Sequence, residues 1–236
     1  MARDAAVPLG PNVWRIPTAP ASLVNSFALR DEDGSITLVD AGLRSARRRL
    51  LGGLATIGVG PRQVRRIVVT HAHGDHAGGL ARLVEATGAP VATHERDAIY
   101  LREGRLPQRD GTARGSRLGG LLAGGFAKVA VAEEFRDGTV IPVAGGLRVV
   151  HTPGHTPGHV SLLHEPSGVL ITGDAVFNMR GLRWPPPWFC TDVELNRRSA
   201  DVLGDLDYQT AAFTHGVEIR HGAREAVRAF LRGRVR

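Results

Sequence analysis

The run His71-Ala72-His73-Gly74-Asp75-His76 sets four metal-ligating side chains within six residues. Imidazole nitrogen and carboxylate oxygen are good donors to borderline cations such as zinc, iron or manganese. His71 and His73, two apart, project to one side if the backbone there is extended. Gly74 lets the chain turn sharply, so that Asp75 and His76 can aim at a second, neighbouring point. A lone histidine after a strand is most often a satisfied structural residue. Four ligand types around one glycine make a different pattern.

The preceding stretch, Arg66-Ile67-Val68-Val69-Thr70, reads as a short buried strand that delivers the run. Three further stretches repeat the arrangement of an apolar strand followed by a ligand type. Val149 and Val150 lead into His151-Thr152-Pro153-Gly154-His155-Thr156-Pro157-Gly158-His159; Leu170-Ile171-Thr172-Gly173 leads to Asp174; Ala212-Phe213-Thr214 leads to His215. Strand ends are where a sheet scaffold positions polar groups for binding or catalysis.

Further from these points, strand patterns are expected over residues 13–17, 23–30, 35–39, 91–93, 139–142, 147–151, 159–163, 169–172 and 210–214. Helical patterns are expected over 46–57, 77–87, 96–102, 193–206 and 223–231. The alternation predicts an α/β protein, two sheets with helices outside. No internal linker interrupts it, so residues 1–236 are expected to form a single domain. Residues 103–125, rich in Gly, Arg and Leu without a clear period, read as an inserted flexible segment with one helix near 118–123.

Composition narrows the class. With 236 residues, 42% of them hydrophobic, the chain can bury a substantial core. No apolar run approaches the roughly 18 to 20 residues of a spanning helix, and residues 1–11 lack the apolar stretch of a signal peptide. A single cysteine, Cys190, excludes an internal disulfide and reads as a packed side chain; the expected location is cytoplasmic. The formal charge is +7, and Lys128 is the one lysine among 30 basic residues. Arg44, Arg47, Arg48 and Arg49 cluster without the interleaved aromatics of a nucleic-acid stacking platform. They read as a solvated helix face. A small-molecule substrate is the expected partner and nucleic acid the disfavoured one; a homodimer stays open.

The whole set, in this order, resembles the metallo-β-lactamase superfamily over most of the chain, in a compact form similar to glyoxalase II and the lactonases. The resemblance implies a four-layer αβ/βα sandwich. It implies that His71, His73 and His155 hold one metal, that Asp75, His76 and His215 hold another, and that Asp174 bridges them. The pair of divalent ions is expected to be zinc, with iron or manganese as alternatives. Asp40, in Val39-Asp40-Ala41-Gly42, resembles the family's early aspartate and would brace the histidine loop. His159 would orient its loop or donate a supporting hydrogen bond. His94, His151, His164 and His221 read as surface or structural.

The expected activity is hydrolysis of an ester, thioester or lactone by hydroxide from a shared water, whose pKa two cations would lower from about 15.7 to about 7. Asp75 is the catalytic candidate, orienting that water or carrying its proton. The bridging acid Asp174 sets the chain apart from the zinc β-lactamases, which generally lack one. Glyoxalase II adds a sizeable helical region after its last ligand, whereas about twenty residues follow His215 here. Acyl-homoserine lactonases place a tyrosine three residues after the bridging acid; Phe177 stands there and cannot donate a hydrogen bond. Phe177, Trp184 and Trp188 are candidates for one wall of a substrate cleft, against the alternative of a packed loop. Other readings are a persulfide dioxygenase-like enzyme with one iron on His71, His155 and Asp174, a phosphodiesterase or nuclease, and a non-catalytic metal-binding module.

Overall fold

A computed structural model describes residues 5–108 and 125–233. The first sheet holds seven strands in chain order: β1 (Val7–Gly10), β2 (Val13–Pro17), β3 (Asn25–Arg30), β4 (Ile36–Val39), β5 (Val64–Val69), β6 (Val91–His94) and β7 (Glu133–Phe135). It is antiparallel up to β4 and parallel from β4 onward. The parallel strands are joined through helices α1 (Arg47–Thr56), α2 (Gly74–Ala77), α3 (Leu80–Thr87) and α4 (Glu95–Glu103). The second sheet contains β8 (Val140–Ile141), β9 (Leu147–His151), β10 (Val160–His164) and β11 (Val169–Ile171). After a small hairpin of β12 (Phe177–Asn178) and β13 (Leu182–Arg183) and helix α5 (Val193–Ser199), β14 (Thr210–Ala212) pairs parallel to β11. Helix α6 (Ala223–Arg232) ends the described chain.

Period-two alternation sorts the strand residues into layers. On β5, Ile67 and Val69 pack with Leu50, Leu54, Leu80, Leu83 and Leu101 of the helices, while Val68 faces the other way. There it joins Phe27, Leu29 and Val39 against Leu147, Val149, Val160, Leu162 and Ile171 of the second sheet. The outer face of that sheet, through Val150, Leu163, Leu170 and Ala211, meets Ala223, Val227 and Leu231 of α6. The result is helix, sheet, sheet, helix: the four-layer αβ/βα sandwich. Among the described residues, no helix is long and apolar enough to cross a membrane. Arg47 and Arg48 lie exposed on α1, as expected of a solvated face.

Some boundaries differ from the sequence expectation, each for a local reason. The strand expected from residue 23 begins at Asn25, because Pro20–Ser22 forms a tight turn with Ala21 and Ser22 at positive φ. The helix expected over 193–206 is α5 followed by a 3-10 stretch, Ala200–Gly204. Strands β1 and β7 and the β12–β13 hairpin were not legible; each has two to four residues. The helix expected near 118–123, and most of the 103–125 segment, lie outside the described residues; Glu103 itself ends α4.

The helix expected over 77–87 starts only at Leu80, because Gly78 and Gly79 press against the loop after β4. A Cβ on Gly79 would lie 2.4 Å from the Ala41 carbonyl oxygen, a backbone atom with little room to move. Gly79→Ala is therefore expected to destabilise the fold by about 2–3 kcal/mol. The midpoint of a urea unfolding curve measures it, and a shift worth less than about 0.5 kcal/mol would mean the loop yields.

Candidate metal centre

The candidate ligands all follow the C-terminal ends of strands. His71 and His73 come after β5, His155 after β9, Asp174 after β11 and His215 after β14. Backbone hydrogen bonds close the two sheets against each other at this edge. Val160 N donates to the Thr70 carbonyl (3.1 Å), and Asn25 N donates to the Thr214 carbonyl (2.8 Å). One loop from the first sheet and three from the second are thereby brought together.

His73 is extended (φ −114°, ψ 158°) and Gly74 opens the one-turn helix α2, whose first donors, His76 N and Ala77 N, bond the His73 carbonyl. The turn therefore comes from a helix start, and Gly74 is not in the left-handed region. This places His71 and His73 with His155 in one group, and Asp75 and His76 with Asp174 and His215 in another; within each group the ligand atoms lie within 4.8 Å of one another. In the first, His73 Nδ1 is 2.9 Å from His155 Nε2. In the second, His215 Nε2 is 3.3 Å from both Asp75 Oδ2 and Asp174 Oδ2. Asp174 also reaches the first group, with Oδ2 3.0 Å from His155 Nε2 and 3.7 Å from His71 Nε2. Its Oδ1 is 3.4 Å from His76 Nε2.

Surrounding hydrogen bonds fix which nitrogen faces inward. Asp40, at φ +62°, accepts from Thr70 N, from the Thr70 hydroxyl and from His76 Nδ1, each at 2.8 Å. The Thr70 oxygen, having donated to Asp40, accepts from His71 Nδ1 at 3.0 Å. One buried carboxylate thus orients a histidine of each group, leaving both Nε2 atoms directed inward. His215 Nδ1 donates to the Leu23 carbonyl with the same effect. His159 donates from Nδ1 to the Thr152 carbonyl (2.8 Å) and accepts at Nε2 from Asp174 N (2.7 Å), so it positions the Asp174 backbone. Gly173, at φ +55°, lies against that ring; a Cβ there would be 2.5 Å from Nε2.

Asp97 was not legible as a site residue. Fully buried on α4, it accepts from Ala72 N (2.8 Å), between His71 and His73, and from the Thr156 hydroxyl and Gly158 N (each 2.6 Å), beside His155. It ties together the two loops of the first group. Its acidic type at the start of a helix is the sequence signal, and it is a common one. Cys190 is buried with Sγ 3.6 Å from His155 Nδ1, which can donate to the sulfur. His94 stacks on His151 (4.1 Å), and His164 bonds Ser167 and the Ala144 carbonyl; both are structural, and His221 is exposed.

The electrostatics suit cations. Burial, reinforced by the charge of neighbouring imidazoles, holds His71 and His73 well below the usual histidine range, so both are neutral donors. Burial alone would raise the Asp75 and Asp174 carboxyls; facing histidines overturn it and hold both well below the usual range. Burial works against charged His76 and His215 too, but the carboxylates win, and His215 is pushed up to about 10. Burial and the His155 charge push His159 down to about 3, in keeping with its role as a neutral acceptor. His71 Nε2 and His73 Nε2 are buried with no hydrogen-bond partner among the described residues. Neutral imidazoles converging beside two ionised carboxylates fit divalent zinc, iron or manganese.

A cavity of about 350 Å³ opens over the two groups. His73, Asp75, His155, Asp174 and His215 form its floor; Ala19, Pro20, Leu23, Val24, Leu43, Phe177 and Phe189 form its walls. Phe177 lies 4.2 Å from the His215 ring, centroid to centroid. Trp184 and Trp188 do not line this cavity. Trp184 follows β13 and packs on Phe230 of α6 (4.8 Å). Trp188 is in a 3-10 turn, Pro187–Phe189, that faces the next residue, Phe189, to the cavity in its place.

Comparison with known proteins agrees with this geometry. The chain is 30% identical over 226 residues to the probable metallo-hydrolase YflN of Bacillus subtilis, covering 85% of this chain and 82% of that one. It is 30% identical over 188 residues to an N-acyl homoserine lactonase of a Bacillus species, covering 75% and 65%. The Rm3 metallo-β-lactamase structure superposes with a TM-score of 0.74 at 20% identity, over 97% of this chain and 91% of that one, a likeness of fold alone. Residues 19–215 match the metallo-β-lactamase superfamily as a sequence family. With the sandwich, the strand-end histidines and that match in agreement, the chain belongs to the metallo-β-lactamase superfamily and is one of its metallo-hydrolases.

Proposed function

We propose that the protein is a dinuclear hydrolase, with zinc as its metal, acting on an ester, thioester or lactone of a small molecule. The observation that carries this is Asp174, whose one carboxylate faces both ligand groups. His71, His73 and His155 would hold one ion; Asp75, His76 and His215 the other; Asp174 both. Bound there, the cations supply Lewis acidity and lower the pKa of a water to about 7.

The chain's own groups do the remaining work. Asp40, directly and through Thr70, and the Leu23 carbonyl engage Nδ1 of His76, His71 and His215, so that Nε2 of each is the nitrogen turned inward. Asp75, its side chain 30% exposed, stands at the cavity floor where it can accept a proton from a reacting water and return it to the leaving group. Phe177 packs on the His215 ring and has no hydrogen to donate, so it would contribute an apolar contact and no hydrogen bond at the substrate carbonyl. The likeness to an N-acyl homoserine lactonase supports attack at a carboxylic ester or lactone over a phosphodiester.

The test is metal quantification on protein purified without added metal, followed by a screen of aryl esters, thioesters, lactones and bis-aryl phosphates. The expected result is two ions per chain and ester or lactone cleavage that a chelator abolishes and zinc restores. Asp75→Ala is expected to lower kcat about 10²- to 10⁴-fold. One tightly bound iron per chain with no hydrolysis would overturn the proposal, as would cleavage confined to phosphodiesters.

A further inference from the structure

We infer that the substrate carries an uncharged, apolar acyl portion, seated against Leu23, Leu43, Phe177 and Phe189; this rests on the hydrolase reading above. Leu23 is 47% exposed and Leu43 38%, and they are the exposed leucines among the described residues. Both border the same cavity, directly over the ligand groups. Ile99, Val140, Val202 and Val217 are the other exposed large apolar side chains among the described residues and border no part of it; what sets the two leucines apart is the polar-floored cavity they share, the usual form of a small-molecule site.

The turn that presents Leu23 is built at a cost. Ala21 and Ser22 are both non-glycine residues at positive φ, +52° and +55°, and such positions persist where the surroundings over-determine them. Here Arg15 does so, donating from Nη1 to the Ser22 hydroxyl (2.8 Å) and Asn25 Oδ1 (3.2 Å) while its Nε pairs with Glu218 (2.8 Å). Asn25 in turn donates to the Phe213 and Gly216 carbonyls, on either side of His215. The turn therefore has two outputs. Its Leu23 carbonyl fixes His215, and its Leu23 side chain is held out into water at the cavity mouth.

Charge decides what such a wall accepts. The chain has 30 basic residues, yet no arginine or lysine is among the described residues lining the cavity. The imidazoles and cations at the floor are where the scissile ester would sit; beyond them, an anionic tail lying along Leu23, Leu43, Phe177 and Phe189 would meet hydrocarbon and lose its hydration with no described arginine or lysine beside it. A neutral alkyl chain loses nothing by the same transfer and gains from it.

The experiment uses the zinc-loaded protein and p-nitrophenyl acetate, butyrate, hexanoate and octanoate, with the mono-p-nitrophenyl ester of suberic acid as the carboxylate-tailed match to octanoate. kcat/KM is expected to rise about three- to fourfold per methylene until the cavity is filled. The suberate ester is expected to be slower than octanoate by about tenfold or more. Leu23→Ala and Leu43→Ala should flatten the chain-length slope, and Leu23→Arg should narrow the gap between suberate and octanoate. Metal-free protein, titrated by NMR, should bind octanamide in preference to suberamic acid. Ester cleavage with no chain-length dependence, or suberate matching octanoate, would overturn this inference and leave the hydrolase reading standing. Octanamide preference with no ester cleavage would support the apolar wall and overturn the hydrolase reading. Equal binding of the two amides would overturn the wall.

Discussion

Asp174→Asn is expected to lower turnover by about a thousandfold or more, equivalent to roughly 4 kcal/mol of lost barrier reduction, and to reduce bound metal from the two ions per chain proposed above to one or none. The carboxylate faces both ligand sets, with Oδ2 3.0 Å from His155 Nε2 and 3.3 Å from His215 Nε2, and Oδ1 3.4 Å from His76 Nε2. An asparagine keeps the shape and loses the charge; its nitrogen points a donor at one of those histidines. The loop itself should survive. Asp174 is positioned through its backbone N–H on His159, and the Thr214 hydroxyl, 2.7 Å from Asp174 Oδ1 and equally close to the Gly173 carbonyl, can bond an amide oxygen as well. Circular dichroism and the thermal midpoint should therefore change little while metal content, read by mass spectrometry, falls. A variant that retains two ions and full turnover would show that the two groups do not depend on a shared acid.

The sequence made the ligands legible because each lies just past an apolar strand, so local pattern and site coincide at Thr70-His71, Gly173-Asp174 and Thr214-His215. The supports were harder, since their meaning is non-local. Asp97 looks like an ordinary acid in the first turn of a helix, and its partners lie 25, 59 and 61 residues away. The turn at Ala21 and Ser22 contains no glycine to announce positive φ; it is imposed by Arg15 and Asn25. In the run from Trp184 to Phe189 the aromatic content was plain, but not which ring faces the cavity. A 3-10 turn of three residues decides that, in favour of Phe189. Composition tells that a wall is apolar; only packing tells which residue supplies it.

Asp97→Asn is expected to weaken metal binding at the first group by about 10- to 100-fold, the usual effect of removing a group that orients ligands, while the second group is affected less. Asp97 Oδ2 receives Ala72 N and the Thr156 hydroxyl, and Oδ1 receives Gly158 N. All three partners present hydrogens, so an acceptor is required at both positions. An asparagine supplies one oxygen and one NH₂; whichever way it lies, a donor faces a donor at about the former hydrogen-bond distance. Keeping the oxygen at Oδ2 preserves the bonds to Ala72 and Thr156 and frees Gly158, so the His155 loop loosens against the His71–His73 run. The buried N–H left behind costs about 1–3 kcal/mol of fold stability. Burial pushes the Asp97 carboxyl up against the opposing pull of its three hydrogen bonds, so relief of a buried charge should offset part of that cost. The affinity effect has no such offset, because it follows from geometry. Competition with a graded chelator should resolve one weakened and one nearly normal ion in Asp97→Asn, whereas Asp40→Asn should weaken both, since Asp40 orients a histidine in each group. If Asp97→Asn lowers the unfolding midpoint but leaves both affinities unchanged, the carboxylate supports the fold alone and the spacing of His155 from His71 and His73 is set elsewhere.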